Sequence, residues 1–250
     1  MSARGLPHGV DDGDGGVGGG TAVGPAGGPA EGATTEGPYF LFDIDGTLVD
    51  SSGLIVSVWR RVAAEFGADA EAILAVCHGR RDSEVVPLFF RPEDISRVTV
   101  RIQELEAEGV GLLRPVPRAP ELLGSLPAGR WAAVTSGPSR LMTGRLSAVG
   151  LPVPEVLVAA DHVRRGKPDP EGYLAAAVAL GADPGACVVV EDAPAGVTAG
   201  REAGMFVIGL TTTHTAAQLA DADAVVASLA EVPGIAAARP DRAGRPEPVS

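Results

Sequence analysis

Tyr39-Phe40-Leu41-Phe42-Asp43-Ile44-Asp45-Gly46-Thr47-Leu48 is the stretch from which the rest of the chain can be read. An apolar run, Tyr39 to Phe42, gives way to two aspartates at i and i+2 and then to a Gly-Thr turn. Alternate residues of an extended chain face the same way, so both carboxylates point at one spot. Asp and Gly are ordinary turn residues, and an acidic turn is one reading of them. The other is a nucleophile and an acid/base partner around a cation, because carboxylate oxygens suit Mg2+ and an aspartate can carry a phosphoryl group.

Beyond this stretch, short apolar runs alternate with helical patterns. Trp131 to Val134, Val156 to Ala159, Cys187 to Val190, Phe206 to Leu210 and the short Ala224 to Val226 read as further strands. Arg140 to Val149, Pro170 to Leu180 and Ala195 to Ala203 read as helices between them. The alternation predicts an α/β fold, a Rossmann-like, mostly parallel sheet with helices on both faces. Ligands of such sheets bind beyond the carboxyl ends of the strands, where Asp43 and Asp45 sit.

One interval breaks the pattern. Between Gly53 and about Pro120 no strand is evident, and Leu54 to Phe66, Ala70 to Val76, Asp82 to Phe90 and Pro92 to Glu108 all read as helices. Breakers mark both junctions, Ser51-Ser52-Gly53 and Arg114-Pro115-Val116-Pro117. The expected organisation is a core of residues 38–52 and 120–232, with a small all-helical cap domain at 53–119 placed over the strand ends; extra helices packed on the flank of the sheet are the alternative. Residues 1–37 are Gly-rich with almost nothing large and apolar, and 233–250 are similar, so both are expected to be flexible tails. The run Gly15 to Gly20 lacks the Lys-Ser/Thr and the preceding strand of a phosphate loop.

The 250 residues, 45% of them hydrophobic, suffice for a full core. No run approaches the ~18 apolar residues of a membrane span and no compact apolar leader opens the chain, so a cytoplasmic protein without a membrane partner is expected. A formal net charge of −12 speaks against a nucleic-acid partner. Cys77 and Cys187 have no metal-ligand or disulfide spacing. A monomer or weak homodimer is expected.

Three more segments at strand ends carry chemistry. Val134-Thr135-Ser136-Gly137 offers hydroxyls and backbone N–H groups before a helix, which are donors to a phosphate oxygen and also a common cap. In Arg165-Gly166-Lys167-Pro168 a Lys is held between Gly and Pro, either solvated or poised to neutralise a transferring phosphoryl group. Glu191-Asp192 ends an apolar run, and Asp192 reads either as a helix N-cap or as a further carboxylate of a Mg2+ site.

The ordered set Asp43-x-Asp45-Gly46-Thr47, Thr135, Lys167 and Glu191-Asp192 resembles the four motifs of the haloacid dehalogenase superfamily of phosphohydrolases, over Tyr39 to about Val232. The wording around His78-Gly79-Arg80, Thr135-Ser136-Gly137, Gly166-Lys167-Pro168 and Asp192-Ala193-Pro194-Ala195-Gly196-Val197 is similar to its sugar-phosphate, hexitol-phosphate and glycerol-phosphate phosphatases. The resemblance implies that Asp43 attacks phosphorus and that Asp45 protonates the leaving alkoxide and then activates water. It implies that Mg2+ binds Asp43, Asp192 and the Asp45 carbonyl, with Glu191 adjusting the shell. Thr135 and Lys167 would hold the phosphoryl oxygens, joined by Ser136 and Gly137.

By position in the cap, His78, Gly79, Arg80 and Arg81 are candidates to contact the rest of the substrate, a small phosphorylated metabolite. The alternative for both arginines is a solvated helix start. Trp59 and Phe66 read as packing residues, and His162 and His214 carry no ligand pattern. The phosphoglucomutases of the superfamily carry a His where this chain has Ile55, which favours hydrolysis over a sugar-phosphate mutase. A catalytically silent binding or regulatory protein of the same fold is the remaining alternative, although every expected catalytic position is filled.

Overall fold

Phe40 and Phe42 face one side of a strand and Leu41 the other, and all three are buried. The residue after them therefore leaves the sheet at an edge covered on both faces. The computed structural model describes residues 37–240. In chain order its elements are β1 (Tyr39–Phe42), β2 (Val49–Asp50), α1 (Ser52–Phe66), α2 (Ala70–Cys77), α3 (Asp82–Phe89), α4 (Ile95–Glu108), β3 (Arg114–Pro115), α5 (Ala119–Ser125), β4 (Trp131–Val134), α6 (Ser139–Ala148), β5 (Leu157–Val158), α7 (Glu171–Ala179), β6 (Cys187–Glu191), α8 (Pro194–Glu202), β7 (Phe206–Leu210), β8 (Ala224–Val226) and α9 (Val232–Ala238).

Six strands form one sheet in the order β5-β4-β1-β6-β7-β8, and every neighbouring pair is parallel. Strand β1 is central. Its register sets Phe42 opposite both Ala133 of β4 and Val190 of β6. Asp43 follows Phe42, Thr135 follows the last β4 residue Val134, and Glu191-Asp192 follow Val190, so these groups emerge side by side at the carboxyl ends of the three strands. Apolar residues cover both faces, with Tyr173, Ala176 and Val197 of α7 and α8 on one and Leu122, Met142 and Leu146 of α5 and α6 on the other. A parallel sheet buried in this way reads as the continuous apolar runs seen in the sequence.

Helices α1 to α4 follow one another with no strand among them. Val58, Trp59 and Val62 of α1 pack with Ile73, Val85, Val98, Ile102 and Leu105, and Phe66 lies partly buried against the same cluster. At roughly 1.5–3 kcal/mol for each large side chain taken out of water, this seam holds the four helices together. Trp59 and Phe66 are packing residues, as expected.

Two expectations need correction. The interval after Gly53 does contain a strand, β3, which pairs antiparallel with β2 through Val49 opposite Pro115 and Asp50 opposite Arg114. A two-residue strand half made of proline leaves no periodicity to read. The second concerns Pro233 onward, where α9 runs to Ala238 with Val232 and Ala236 buried. Its small residues hide an apolar stripe, and Pro233 falls in the first turn, where proline is tolerated. The tail expectations for 1–36 and 241–250 lie outside the described residues.

Candidate active site

Three strand ends converge on Lys167, which lies in the loop between β5 and α7. Its Nζ donates to Asp43 Oδ1 at 2.5 Å, to Glu191 Oε1 at 2.5 Å and to the Val134 carbonyl at 3.1 Å, so all three donor positions of the ammonium are used. Lys167 is 5% exposed. Glu191 is fully buried and saturated: Oε1 also accepts from Tyr173 Oη at 2.9 Å, and Oε2 accepts from the N–H groups of Asp192 and Ala193 at 3.0 and 3.2 Å. Gly196 makes room for it, since a Cβ there would lie 1.7 Å from Glu191 Oε1. Asp192 accepts from Thr47 Oγ1 at 3.0 Å and from Thr213 Oγ1. The Asp43 N–H donates to the Val190 carbonyl at 3.1 Å, which fixes the acid to the end of the sheet.

Asp43, Glu191 and Asp192 each place a carboxylate oxygen within 4.8 Å of the others. Burial pushes Asp43 well above the usual carboxylate range; Lys167 opposes that shift, and Glu191 and Asp192 add to it. Burial and then Glu191 push Asp192 up to about 7, against hydrogen bonds from Thr213 and Thr47 and the charge of Lys167. Burial alone would lower Lys167, but Asp43 and Glu191 outweigh it and keep the ammonium charged. One cation among three buried acids leaves a deficit of positive charge. Clustered hard oxygen donors with that deficit fit a divalent cation such as Mg2+. Gly46, at φ +85°, lets the turn pass close, because a Cβ there would lie 2.2 Å from Asp192 Oδ2.

Thr135 is buried, and its Oγ1 accepts from the Gly137 N–H at 3.2 Å, which leaves the hydroxyl proton to be donated. The Ser136 hydroxyl instead donates to the Gly79 carbonyl at 2.8 Å. That bond joins the strand ends to the α2–α3 connection. Gly79 sits at φ +75°, and a Cβ on it would lie 2.8 Å from the Ala193 methyl. His78 meets His214 edge to face at 5.9 Å, and burial and His214 lower its pKa. His214, given no role from the sequence, has its Nδ1 2.9 Å from the Asp192 carbonyl.

The two arginines differ. Arg81 donates to the carbonyls of Val163 and Arg164 at 3.2 and 3.3 Å, so it clamps the α2–α3 connection onto the loop that carries Lys167. Arg80 lies 3.8 Å from Glu84 on its own helix start.

Asp45 does not stand free beside Asp43. Its Oδ1 lies 2.5 Å from Nη1 of Arg145 on α6, and Nη2 of the same guanidinium lies 2.6 Å from Glu106 Oε1 on α4. Burial raises Glu106 to about 7 against the attraction of Arg145, and it raises Asp82 to about 6 against the same guanidinium. Arg145, Glu106 and Asp82 escaped the sequence reading, because each lies on a helix away from any strand-end motif. A signal was present in Arg145, a charged residue directly beside Leu146 on the buried face of its helix.

A protein-family profile described as haloacid dehalogenase-like hydrolase matches residues 39–204. The chain belongs to this family. Hexitol phosphatase A of Escherichia coli (strain K12) is 40% identical over 198 residues, covering 77% of this chain and 92% of that relative. Validoxylamine A 7'-phosphate phosphatase of Streptomyces hygroscopicus subsp. limoneus is 38% identical over 200 residues, covering 77% and 94%. Among solved structures, a HAD family hydrolase from Deinococcus radiodurans R1 with bound phosphate and sodium aligns with a TM-score of 0.62 at 32% identity, covering 79% of this chain and 94% of the other. A hydrolase from Pseudomonas syringae aligns at 0.72 and 26% identity, covering 81% and 100%. Among the described residues, no helix of this haloacid dehalogenase-like hydrolase is long and apolar enough to cross a membrane.

Proposed function

We propose that this hydrolase is a Mg2+-dependent phosphatase that cleaves a small sugar or polyol phosphate monoester through an aspartyl-phosphate on Asp43. The observation that carries this reading is the buried Lys167 shared between Asp43 and Glu191 at 2.5 Å. The names of the similar phosphatases, among them hexitol phosphatase A, support the substrate class.

In this reading a carboxylate oxygen of Asp43 attacks phosphorus, and the bond to the alkoxide oxygen breaks. Asp45 gives that oxygen its proton. Asp45 then takes a proton from water, whose oxygen attacks the same phosphorus, and inorganic phosphate leaves as Asp43 is restored. Thr135 holds a phosphoryl oxygen, and Lys167 holds another by exchanging its 3.1 Å bond to the Val134 carbonyl for it, with the Ser136 and Gly137 segment beside them. Glu191 keeps Lys167 oriented. Asp43, Asp192 and the Asp45 carbonyl would hold Mg2+, with Glu191 adjusting its surroundings; when bound, the ion neutralises charge on the carboxylates and the phosphoryl group. Such neutralisation matters because one acid/base residue supplies only about 10² to 10⁴ of the acceleration that phosphate monoesters require.

Residues 53–119 act as the cap. The bonds from Ser136 to Gly79 and from Arg81 to the 163–164 carbonyls support this role, since they seat the α2–α3 connection on the strand ends. Water is excluded there, and the non-phosphate part of the substrate meets His78, Gly79 and their neighbours. Ile55 packs against the apolar cluster of the helices and offers no acid/base group, which supports hydrolysis over isomerisation.

Phosphate release from a panel of sugar, polyol and small acid phosphates, with and without Mg2+, tests the reading. The expected result is Mg2+-dependent release, greatest on sugar or polyol phosphates. Asp43→Asn is expected to abolish it in a folded protein; activity retained by that variant would overturn the nucleophile assignment.

A further inference from the structure

The guanidinium of Arg145 is 4% exposed and has no part in the four motifs, yet it is the group bonded to the Asp45 carboxylate. Its two terminal nitrogens divide between Asp45, which follows β1, and Glu106, which belongs to α4. A single cation therefore joins the sheet and the helical segment at the residue proposed to handle the proton. Burying a guanidinium on the helix face that also carries the buried Met142 and Leu146 is costly, and a leucine there would pack with less penalty. A free carboxylate at Asp45 could turn about two side-chain bonds. The fork of Arg145, anchored at its far end by Glu106, removes that freedom.

We propose that Arg145 is a positioning residue for proton transfer: it orients the Asp45 carboxyl and, through Glu106, makes that orientation depend on the seating of the α1–α4 segment. The proposal rests on the phosphatase reading above. Arg145 forms no bond with substrate in this scheme. Its effect runs through Asp45, and it bears on the step in which the proton passes from Asp45 to the departing alkoxide oxygen as the P–O bond breaks.

Leaving-group dependence distinguishes positioning from structural support. A sugar alkoxide needs the proton, whereas p-nitrophenolate departs without it. Full-length wild type, Arg145→Met, Arg145→Lys and Glu106→Gln are compared with Mg2+ on sorbitol 6-phosphate and on p-nitrophenyl phosphate, the latter followed over the first turnover. Thermal unfolding checks that each variant is folded.

Arg145→Met is expected to lower kcat on sorbitol 6-phosphate by roughly 10²-fold, the size of a misdirected acid/base group, with KM nearly unchanged. Its first-turnover release of p-nitrophenolate should fall by less than about 3-fold. Arg145→Lys should recover part of the loss, and Glu106→Gln should show the same substrate bias at roughly 10-fold. Equal losses on the two substrates, or no loss on sorbitol 6-phosphate, overturn the proposal while leaving the phosphatase reading intact. A wild type inactive on both overturns that reading and this proposal together.

Discussion

Two clusters of acids, each gathered around one buried cation, lie close to one another in this molecule and are built differently. At the sheet edge, Lys167 binds Asp43 and Glu191, and every member comes from a strand end or from a loop between strands. At the boundary with the helices, Arg145 binds Asp45 and Glu106, and Asp82 lies close enough to feel the same charge. The first cluster is assembled by the register of a parallel sheet and exists as soon as the sheet does. The second exists only while α4 is seated against α6. In the proposed scheme one region holds a reacting phosphoryl group in place, and the other makes the Asp45 carboxyl depend on whether the helices above it are seated.

The most severe test of the contrast is Lys167→Met. Removing the cation strands Asp43 and Glu191 together in a buried place, a loss on the order of 3–5 kcal/mol for a broken buried pair. Activity is expected to fall by more than about 10³-fold with Tm clearly lowered, and Mg2+ should restore some stability but little turnover. Steady-state kinetics and thermal unfolding with and without Mg2+ check both halves.

Gly46→Ala probes the same cluster more gently. The added methyl would meet Asp192 Oδ2 at 2.2 Å, in a conformation that L-residues rarely adopt. A fall in kcat of roughly 10- to 100-fold and a weaker apparent Mg2+ affinity are expected. Unchanged Mg2+ dependence would separate the turn from the carboxylate.

The helix boundary should reveal itself through pH. Burial raises Glu106 to about 7 and Asp82 to about 6, so the folded protein holds these protons more tightly than the unfolded chain. That contribution to stability is complete below the ordinary Glu and Asp range and is lost as pH rises to about 7. Glu106→Gln should flatten this decline by roughly 1–2 kcal/mol between pH 5 and 8, as followed by urea unfolding with Mg2+ present. Arg145, Asp82 and Asp45 are the charged groups that face Glu106, so an unaltered slope would mean that Glu106 stays ionised there.

Ser136→Ala is expected to have the smallest effect. It removes the bond to the Gly79 carbonyl, about 1 kcal/mol, and should raise KM a few-fold while changing kcat little. A drop in kcat alone would assign Ser136 to the phosphoryl group and not to the seating of the α2–α3 connection.

The sheet-edge cluster was legible in the sequence because its residues interrupt apolar runs. Asp43, Thr135 and Asp192 each stand where a buried strand stops, and Lys167 stands in a Gly-Pro frame. What the sequence did not show is how Lys167 is held. Tyr173 and the backbone of Asp192 and Ala193 fill the remaining positions on Glu191, and a helix tyrosine looks like any other packing residue until its hydroxyl is placed. The second cluster was hidden for a stronger reason. Arg145 and Glu106 are 39 residues apart, each on its own helix, and nothing in either local pattern names the other. Strand β3 and helix α9 were missed because proline and small residues mask short elements.

The ribbon of β2 and β3 has a consequence for how such a chain can change. The chain leaves the sheet region at Asp50 and re-enters at Arg114, two residues that are paired neighbours. Everything between them is an excursion whose two ends already touch, so its length is not constrained by the distance it must span. A segment of different size and different lining could be grafted between the same two residues without moving a strand, and the catalytic edge would then be offered a new clientele while its own geometry stayed as it was.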